Sequence, residues 1–445
     1  MKRAVSKLWF PVSLVAAVAI IFIGFGPPAA PSSAASLLAM APPGAGDEPY
    51  FPPDGASATE REIAERYEIV RRAPETVEAY VLLGNAYLQH VRETGDPQDY
   101  ARAEAALEAA RTRAPENADA LIGLGVLALA RHEFSDALAL GQRAVELAPR
   151  ASRAHGVVVD ALTELGRYDE AVASAQQMVD LRPDLASLSR VAYQRELHGD
   201  VDGAIEAMAR AFDAATGTLP ENREYLRVLI GDLHLLKGDA ASAEMIYQAS
   251  LQTIPGFVWA EAGMGRAAVA RGDLSSAIDH YLAATETLPL PELLVALGEA
   301  QDAAGQTAEA QGTYELVRAM QALYAESGVN VDLELALFEA NHGDAGRAVE
   351  LAQQAYAAQP NIKAADALAW ALYRAGRIDE AATHMAEATR LGTSYPSYAF
   401  HAGMIALAQG DAATARSELS RAVAATGTLS PLDLQAARAA LAGVG

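Results

Sequence analysis

The sequence predicts an all-α fold, a solenoid of stacked helical hairpins. Three observations support this prediction: a 34-residue period, two recurring slots for small residues, and a Gly-Asp dipeptide between them. Ala103, Ala137 and Ala171 show the period directly, because each follows the previous one by 34 residues. A period of this size is typical of helix–turn–helix units that cannot bury an apolar face alone and therefore stack on copies of themselves.

Small residues occupy one slot on the first helix and one on the second helix of each unit. Small side chains at both slots allow two helices to cross at close approach. The first slot holds Gly84, Gly125, Val159, Ala192, Gly231, Gly265, Gly298, Ala336, Ala369 and Gly403. The second slot is alanine in all ten units: Ala103, Ala137, Ala171, Ala204, Ala243, Ala277, Ala310, Ala348, Ala381 and Ala415.

A Gly-Asp dipeptide marks the turn between the two helices in five units. Glycine accepts the left-handed conformation that ends a helix, and aspartate offers an oxygen to the free amides that open the next one. Prolines such as Pro115 and Pro149 then stop the second helix, because proline cannot continue a helix interior. The dipeptides are Gly199-Asp200, Gly238-Asp239, Gly272-Asp273, Gly343-Asp344 and Gly410-Asp411.

The pattern within one block resembles the tetratricopeptide repeat. The second block carries it at Leu121, Leu124, Gly125, Phe134, Ala137, Ala144 and Pro149. Departures are His155 and Glu261 at the bulky first-helix slot and Ala128 at the tyrosine slot. The resemblance implies a right-handed α-α superhelix of ten repeats over residues 75–425, with a concave groove that binds other proteins.

The amino terminus predicts export. Lys2, Arg3 and Lys7 precede an apolar run over residues 8–25, so residues 1–25 are a signal peptide or a membrane anchor whose basic flank stays inside. Cleavage sites would be Ser33-Ala34-Ala35 or, less well, Ala39-Met40-Ala41. The chain would be periplasmic or secreted, or held at the inner membrane by residues 8–25.

Helical caps and a linker complete the predicted organisation. Residues 26–57, rich in proline and alanine, are expected to be a linker. Residues 58–74 and 426–445 are expected to form capping helices, which cover apolar faces that no neighbouring repeat reaches.

Composition excludes several classes of function. The chain of 445 residues has no cysteine, which rules out disulfides and thiol catalysis. Its formal charge of −23 disfavours nucleic acid as a partner. Lys237 and Lys363 are the only lysines after the leader, so the family's lysine-rich clamp for carboxylate-ended tails is not expected.

Three interruptions break the period. Residues 91–97 predict an extra loop in the first repeat, and residues 214–221 predict a polar break between the fourth and fifth repeats. In the seventh repeat the second helix is expected to continue through Met320 and Tyr324. Each is either a contact surface or a tolerated insertion.

No motif predicts catalysis, a cofactor or a metal. Residues 123–128 and 263–268 match a dinucleotide fingerprint, but both lie in mid-helix without the preceding strand that such a site requires. No two of the nine histidines lie four apart on one helix, as a two-histidine metal site would need. The chain is therefore not expected to be an enzyme.

The family resemblance places a set of exposed side chains in the concave groove. Trp370 and Tyr373 share one helical face, beside Lys363 and Asp366. Packing against the next repeat is the alternative role for Trp370. The groove residues are Asn85, Asp160, Tyr193, Asp232, Trp259, Arg266, Glu299, Trp370, Tyr373 and Phe400.

These features predict a non-catalytic protein-interaction scaffold, for example an assembly factor for an envelope complex. Its acidity favours a peptide or helix of basic character as the partner. The membrane would be a second partner if the amino-terminal segment is retained. Two alternatives remain open: a solute- or glycan-binding envelope protein, and a regulatory subunit of a separately encoded enzyme.

Overall fold

All regular structure in the computed structural model is helical. The structure describes residues 39–42, 50–52, 54–217, 220–327 and 330–444, and over these it contains 22 α-helices and a 3-10 turn at Thr426–Thr428. The helices are α1 Ala58–Arg72, α2 Val77–Thr94, α3 Gln98–Arg113, α4 Ala118–Ala130, α5 Phe134–Leu147, α6 Ser152–Glu164, α7 Tyr168–Leu181, α8 Leu185–Leu197, α9 Val201–Ala214, α10 Pro220–Leu236, α11 Ala240–Thr253, α12 Val258–Arg271, α13 Leu274–Thr287, α14 Pro291–Ala303, α15 Thr307–Glu326, α16 Asp332–His342, α17 Ala345–Ala358, α18 Ile362–Arg374, α19 Ile378–Ala388, α20 Pro396–Ala408, α21 Ala412–Ala424 and α22 Pro431–Gly443.

Helices α2 to α21 form consecutive pairs, each of which packs on the next, and α1 and α22 flank the array. Over the described ranges, no helix combines the length and apolar character needed to cross a membrane. The leader and its anchor or cleavage sites up to Ser33-Ala34-Ala35 lie outside the described residues.

The alanine slot is confirmed as the place where the paired helices touch. All ten alanines, from Ala103 to Ala415, have 0% of their surface exposed. On the facing helix, a Cβ added to Gly231 would lie 2.4 Å from Cε1 of Tyr247. Because no real Cβ fits at that distance, the tyrosine ring packs directly on the glycine backbone, as close helix crossing requires.

The Gly-Asp turns behave as predicted in four of five cases. All five aspartates accept a hydrogen bond from the amide three residues later, as Asp200 does from Gly203 at 2.9 Å. Four of the glycines have φ between 77° and 80°. The left-handed prediction is wrong for Gly343, whose φ is −142°. There the carboxylate of Glu339 accepts from the amide of Asp344 at 3.0 Å and takes over the turn.

The interruptions resolve largely into longer helices. A loop was predicted over residues 91–97, but helix α2 runs to Thr94. The first half of the predicted loop is therefore an additional helical turn. Helix α15 continues through Met320 and Tyr324 to Glu326, as predicted.

Part of the predicted linker packs against the array. Met40 is fully buried, and its main-chain oxygen accepts a hydrogen bond from the hydroxyl of Tyr87 at 2.7 Å. The amide of Tyr50 donates to Glu68 at 2.7 Å. These contacts extend the amino-terminal cap upstream of α1, so this part of residues 26–57 is not a free linker.

The array winds through more than one turn, and successive turns touch along a seam. We define the seam as the contact between a turn within one helix pair and the connector that follows the pair five further on. It joins Gly95 to Leu290, Gly166 to Pro360, Gly199 to Gly392 and Gly238 to Ala424.

Hydrogen bonds hold the seam together. The amide of Asn361 donates to the main-chain oxygen of Glu164 at 2.9 Å, and the amide of Ile362 donates to the hydroxyl of Tyr168 at 2.9 Å. Farther along, the hydroxyl of Tyr395 donates to Glu196 at 2.8 Å. Since each bond joins residues nearly 200 positions apart, the seam closes the groove of the solenoid into an interior.

Candidate functional site

The interior enclosed by the seam contains a cavity of about 700 Å³. Most of its lining comes from the first helices of the pairs, and α22 contributes at one end. This volume lies within the roughly 300–1,000 Å³ that is usual for ligand pockets. The cavity is therefore the main candidate for a binding site.

The lining is strongly acidic. Among the described residues, it has seven carboxylates and one lysine or arginine side chain, that of Lys363. In a partly shielded interior such an excess attracts positive charge more strongly than an exposed surface does. The seven are Glu164, Glu196, Asp232, Glu299, Glu334, Asp366 and Asp433.

Lys363 is already paired. Its Nζ lies 3.4 Å from Oε1 of Glu164 and 5.4 Å from the centre of the Tyr193 ring. Burial alone would lower the pKa of Lys363, but Glu164 and Tyr193 together outweigh burial and the pKa is raised. The one lysine of the lining is thus neutralised by Glu164 and does not compensate the other carboxylates of the cavity.

Two further carboxylates pair with histidines. Nε2 of His342 lies 3.0 Å from Glu299, and Nδ1 of His401 lies 2.8 Å from Asp366. His401 also stacks on the indole of Trp370 with 4.2 Å between ring centres. Each pair joins two helices, and a stacked aromatic ring packs against each histidine.

Glu196 is held in a less polar setting. It accepts a hydrogen bond from Tyr395 across the seam, yet burial raises its pKa to about 7. Burial raises the pKa of Glu334 to about 7 as well, and the charge of Glu292 adds to the effect. Burial also raises the pKa of Glu299 and Asp433. A cationic ligand would restore their charge, because a nearby positive charge favours the ionised form.

The structure corrects the exposure of the predicted groove residues. Trp370, Phe400 and Glu299 are buried, with 3%, 1% and 7% of their surface exposed. Trp370 donates from Nε1 to Asn341 at 2.7 Å and stacks on Tyr373 at 4.9 Å. Asn341 on α16 and Phe400 and His401 on α20 pack against Trp370, so an exposed aromatic patch does not form and Trp370 packs against the next repeat, the alternative role given above.

The polar rim expected beside Trp370 is likewise internal. Asp366 is buried on His401, and Lys363 pairs with Glu164 as described. The predicted rim therefore became part of the cavity wall.

The other predicted groove residues are half-buried, and most of them have hydrogen-bond or ring-packing partners within the chain. Asp160 accepts from Nε of Arg190 at 2.8 Å, and Asp232 accepts from Arg266 at 2.6 Å. Trp259 packs edge-on against Tyr225. Asn85 lies beside Gly123, away from the cavity. Of the ten predicted residues, the cavity is lined by Tyr193, Asp232 and Glu299.

Several lining residues were missed, although a signal for some of them exists. Glu196 follows Tyr193 by three positions, and Glu164 follows Asp160 by four. Residues at these spacings share a helical face, so extending each predicted slot by one turn would have found both. Tyr395 and Asp433 carry no such signal, because the seam and the terminal helix bring them in.

Metal binding finds no support in the described residues. They contain no group of three or more histidine and acidic side chains arranged to hold a metal ion.

Comparison with known proteins agrees with the repeat architecture. A tetratricopeptide repeat model matches residues 97–152, 128–186 and 367–430. No curated protein sequence matches the chain.

Solved structures with similar folds have low sequence identity. A monomeric mutant of IFIT1 bound to m7Gppp-AAAA is 16% identical, with 74% of this chain and 77% of that chain covered and a TM-score of 0.47. The Cut9-Hcn1 hetero-tetramer of APC/C is 13% identical, with coverage of 87% and 96% and a TM-score of 0.38. PilF of Pseudomonas aeruginosa is 20% identical, with coverage of 48% and 93% and a TM-score of 0.36. The chain thus contains tetratricopeptide repeats, wound into an all-helical superhelix.

Proposed function

We propose that the protein is a non-catalytic interaction scaffold that binds a basic segment of a partner protein in its acidic cavity. The observation that carries this proposal is the charge of the lining, where seven carboxylates face a single lysine that is already paired. Stacked helical repeats commonly present such concave surfaces to their partners. Charge would steer the basic segment in, and the tyrosines of the lining would provide apolar contact.

Support for a non-catalytic role comes from how the reactive side chains are used. In the pairs His342–Glu299 and His401–Asp366, each histidine stacks on an aromatic ring, that of Tyr314 or Trp370. Each pair also joins two helices through a short contact between the imidazole and the carboxylate. We therefore assign these pairs a structural role.

We also propose that the scaffold works outside the cytoplasm, for example in the assembly of an envelope complex. The basic leader and the apolar run over residues 8–25 motivate this part. An alkaline phosphatase fusion after residue 57 is expected to be active in a bacterial host. Activity only from a cytoplasmic reporter at the same junction would exclude export.

Binding is tested by isothermal titration of residues 36–445 with a lysine-rich peptide and with a glutamate-rich peptide of equal length. We expect only the basic peptide to bind, with an affinity that falls as salt is added, because counter-ions screen the attraction. Equal binding of both peptides, or of neither, would reject the proposal.

A solute-binding role is the second candidate, because the cavity has the volume of a small-molecule pocket. The same titration with small cationic solutes separates the two roles. Tight binding of a small amine together with no binding of the basic peptide would favour the solute-binding role.

A further inference from the structure

One carboxylate of the cavity has an oxygen with nothing to bind. Oε2 of Glu334 is buried and has no hydrogen-bond partner within the described part of the chain. A buried polar atom without a partner is destabilising, and more so if it is charged. Such an atom in a cavity wall is a natural place for a ligand donor.

The other lining carboxylates are more fully engaged. Glu164 faces Lys363, Glu196 accepts from Tyr395, and Asp232 accepts from both Tyr247 and Arg266. Glu299 and Asp366 face histidines, as described above. Glu334 is thus distinguished from these neighbours by its free oxygen.

The electrostatic surroundings of Glu334 favour a cation. Glu292, on α14, raises the pKa of Glu334 by like charge and is itself exposed. Lys363 and Glu164 also act on Glu334, but they oppose each other and are bound together. The unbalanced charge near Glu334 is therefore negative.

The walls around Glu334 suit a side chain with an apolar stem. Leu333 and Leu337 are on the same helix, and Val295 faces the cavity from α14. Tyr225 lines the same cavity and can offer its ring to a cation. Lysine and arginine combine an aliphatic stem with a charged head.

We infer that Glu334 receives one lysine or arginine side chain of the bound segment. This inference rests on the proposed function and names the contact that anchors the partner. The charged head would donate to the free Oε2 of Glu334, and the stem would lie along the leucines of α16.

Binding would then release a proton when Glu334 is protonated, since the cation requires the carboxylate. With a pKa of about 7 in the empty cavity, we expect the affinity for the basic peptide to fall about tenfold from pH 8 to pH 6. Titration of the wild type in two buffers of different ionisation enthalpy, near pH 7, would detect the released proton directly.

The variant test compares Glu334→Gln with Glu350→Gln, which removes the same charge from the exposed outer surface of α17. At pH 8 we expect Glu334→Gln to weaken peptide binding about tenfold or more, because a charged donor loses its ionised acceptor. Its affinity should also depend less steeply on pH than that of the wild type, since Glu196 would account for part of the remaining dependence. Glu350→Gln should bind like the wild type.

The outcomes separate the two proposals. If the wild type binds the basic peptide but Glu334→Gln binds equally well with the same pH dependence, the Glu334 contact is wrong and the scaffold proposal stands. If the wild type does not bind the basic peptide, the scaffold proposal itself fails. If Glu334→Gln is unfolded by circular dichroism, the proton-release titration is made on Glu196→Gln, which lacks the other cavity carboxylate with a pKa of about 7, and release of no proton would overturn the inference.

Discussion

The amide nitrogen of the Asn361 side chain lies 2.9 Å from the main-chain oxygen of Glu164, although 197 residues separate the two. This hydrogen bond joins the third helix pair to the connector after the eighth pair. It belongs to the seam that turns an open groove into an enclosed interior. The acidic cavity exists because of this closure, since its walls come from both sides of the seam.

Gly166 at the seam is expected to tolerate alanine poorly, because its backbone is left-handed and because it lies close to Pro360. Gly166 has φ of 70°, and a Cβ added to it would lie 2.3 Å from the main-chain oxygen of Pro360. Gly376 has φ of 76° but nothing within 4 Å of an added Cβ. Both Gly→Ala changes cost roughly 1–2 kcal/mol for the left-handed backbone, and Gly166→Ala should cost more because backbone must also move.

Chemical denaturation of the two variants checks this prediction, and small-angle scattering would show whether the seam opens. Gly166→Ala should unfold more easily than Gly376→Ala and have a larger radius of gyration. Equal stability and equal size of the two variants would show that the seam contact at Gly166 does not form.

Trp370 is expected to act as a packing residue. Its ring is buried, stacks on His401 and Tyr373, and bonds Asn341. Trp370→Ala should therefore lower the free energy of unfolding by about 3–5 kcal/mol. Denaturant unfolding measures the loss, and the half-buried Trp259→Ala should lose less. Wild-type stability of Trp370→Ala would contradict the burial described above.

The alanine slot gives a prediction about overpacking. Ala137 is fully buried where two helices touch, so Ala137→Leu should cost about 1–3 kcal/mol. Arg143 lies on the same helix with 48% of its side chain exposed, and Arg143→Leu should cost little. Melting temperatures of the two variants test this difference, and identical values would refute the assigned packing.

The raised pKa of Glu196 gives a prediction of how the stability of the protein depends on pH. Burial raises its folded pKa from 4.5 to about 7. The folded state therefore holds the proton more tightly than the unfolded state. The contribution of protonated Glu196 to the free energy of unfolding is fully present below pH 4.5 and is lost as the pH rises through about 7.

The variant Glu196→Gln should remove this part of the pH dependence. Between pH 5 and pH 8, wild-type stability should fall more than that of the variant, as measured by urea denaturation. An identical change in both proteins would show that Glu196 is not buried in the way described.

Local features of the fold could be predicted because they depend on neighbouring residues. The pairing of helices, the ten buried alanines and the aspartate caps all arise from contacts within one repeat or between adjacent repeats. The extra turn of α15 followed from the apolar spacing at Met320 and Tyr324. The exception at Gly343 has a local cause too, because Glu339 supplies an acceptor that the dipeptide pattern does not include.

The site could be predicted only in part, because it depends on how far the array winds. The family resemblance predicted that Tyr193, Asp232 and Glu299 face the groove, and these three residues line the cavity. The phase of the repeat does not determine which residues face each other across the seam. The pairing of Lys363 with Glu164 and of Tyr395 with Glu196 could therefore not be predicted. Trp370 was expected to be exposed, but Asn341 and His401 on the adjacent first helices pack against it.

Sequence alone predicts the helical repeat, its phase and the residues that hold each helix pair together, since these follow from side-chain size and helix-end chemistry at short range. The closure of the groove, the set of carboxylates that share one cavity and the carboxylate that lacks a partner emerge only in the folded array. The reason is that a small rotation between adjacent repeats accumulates over five pairs, and the sum of those rotations sets whether Asn361 meets Glu164.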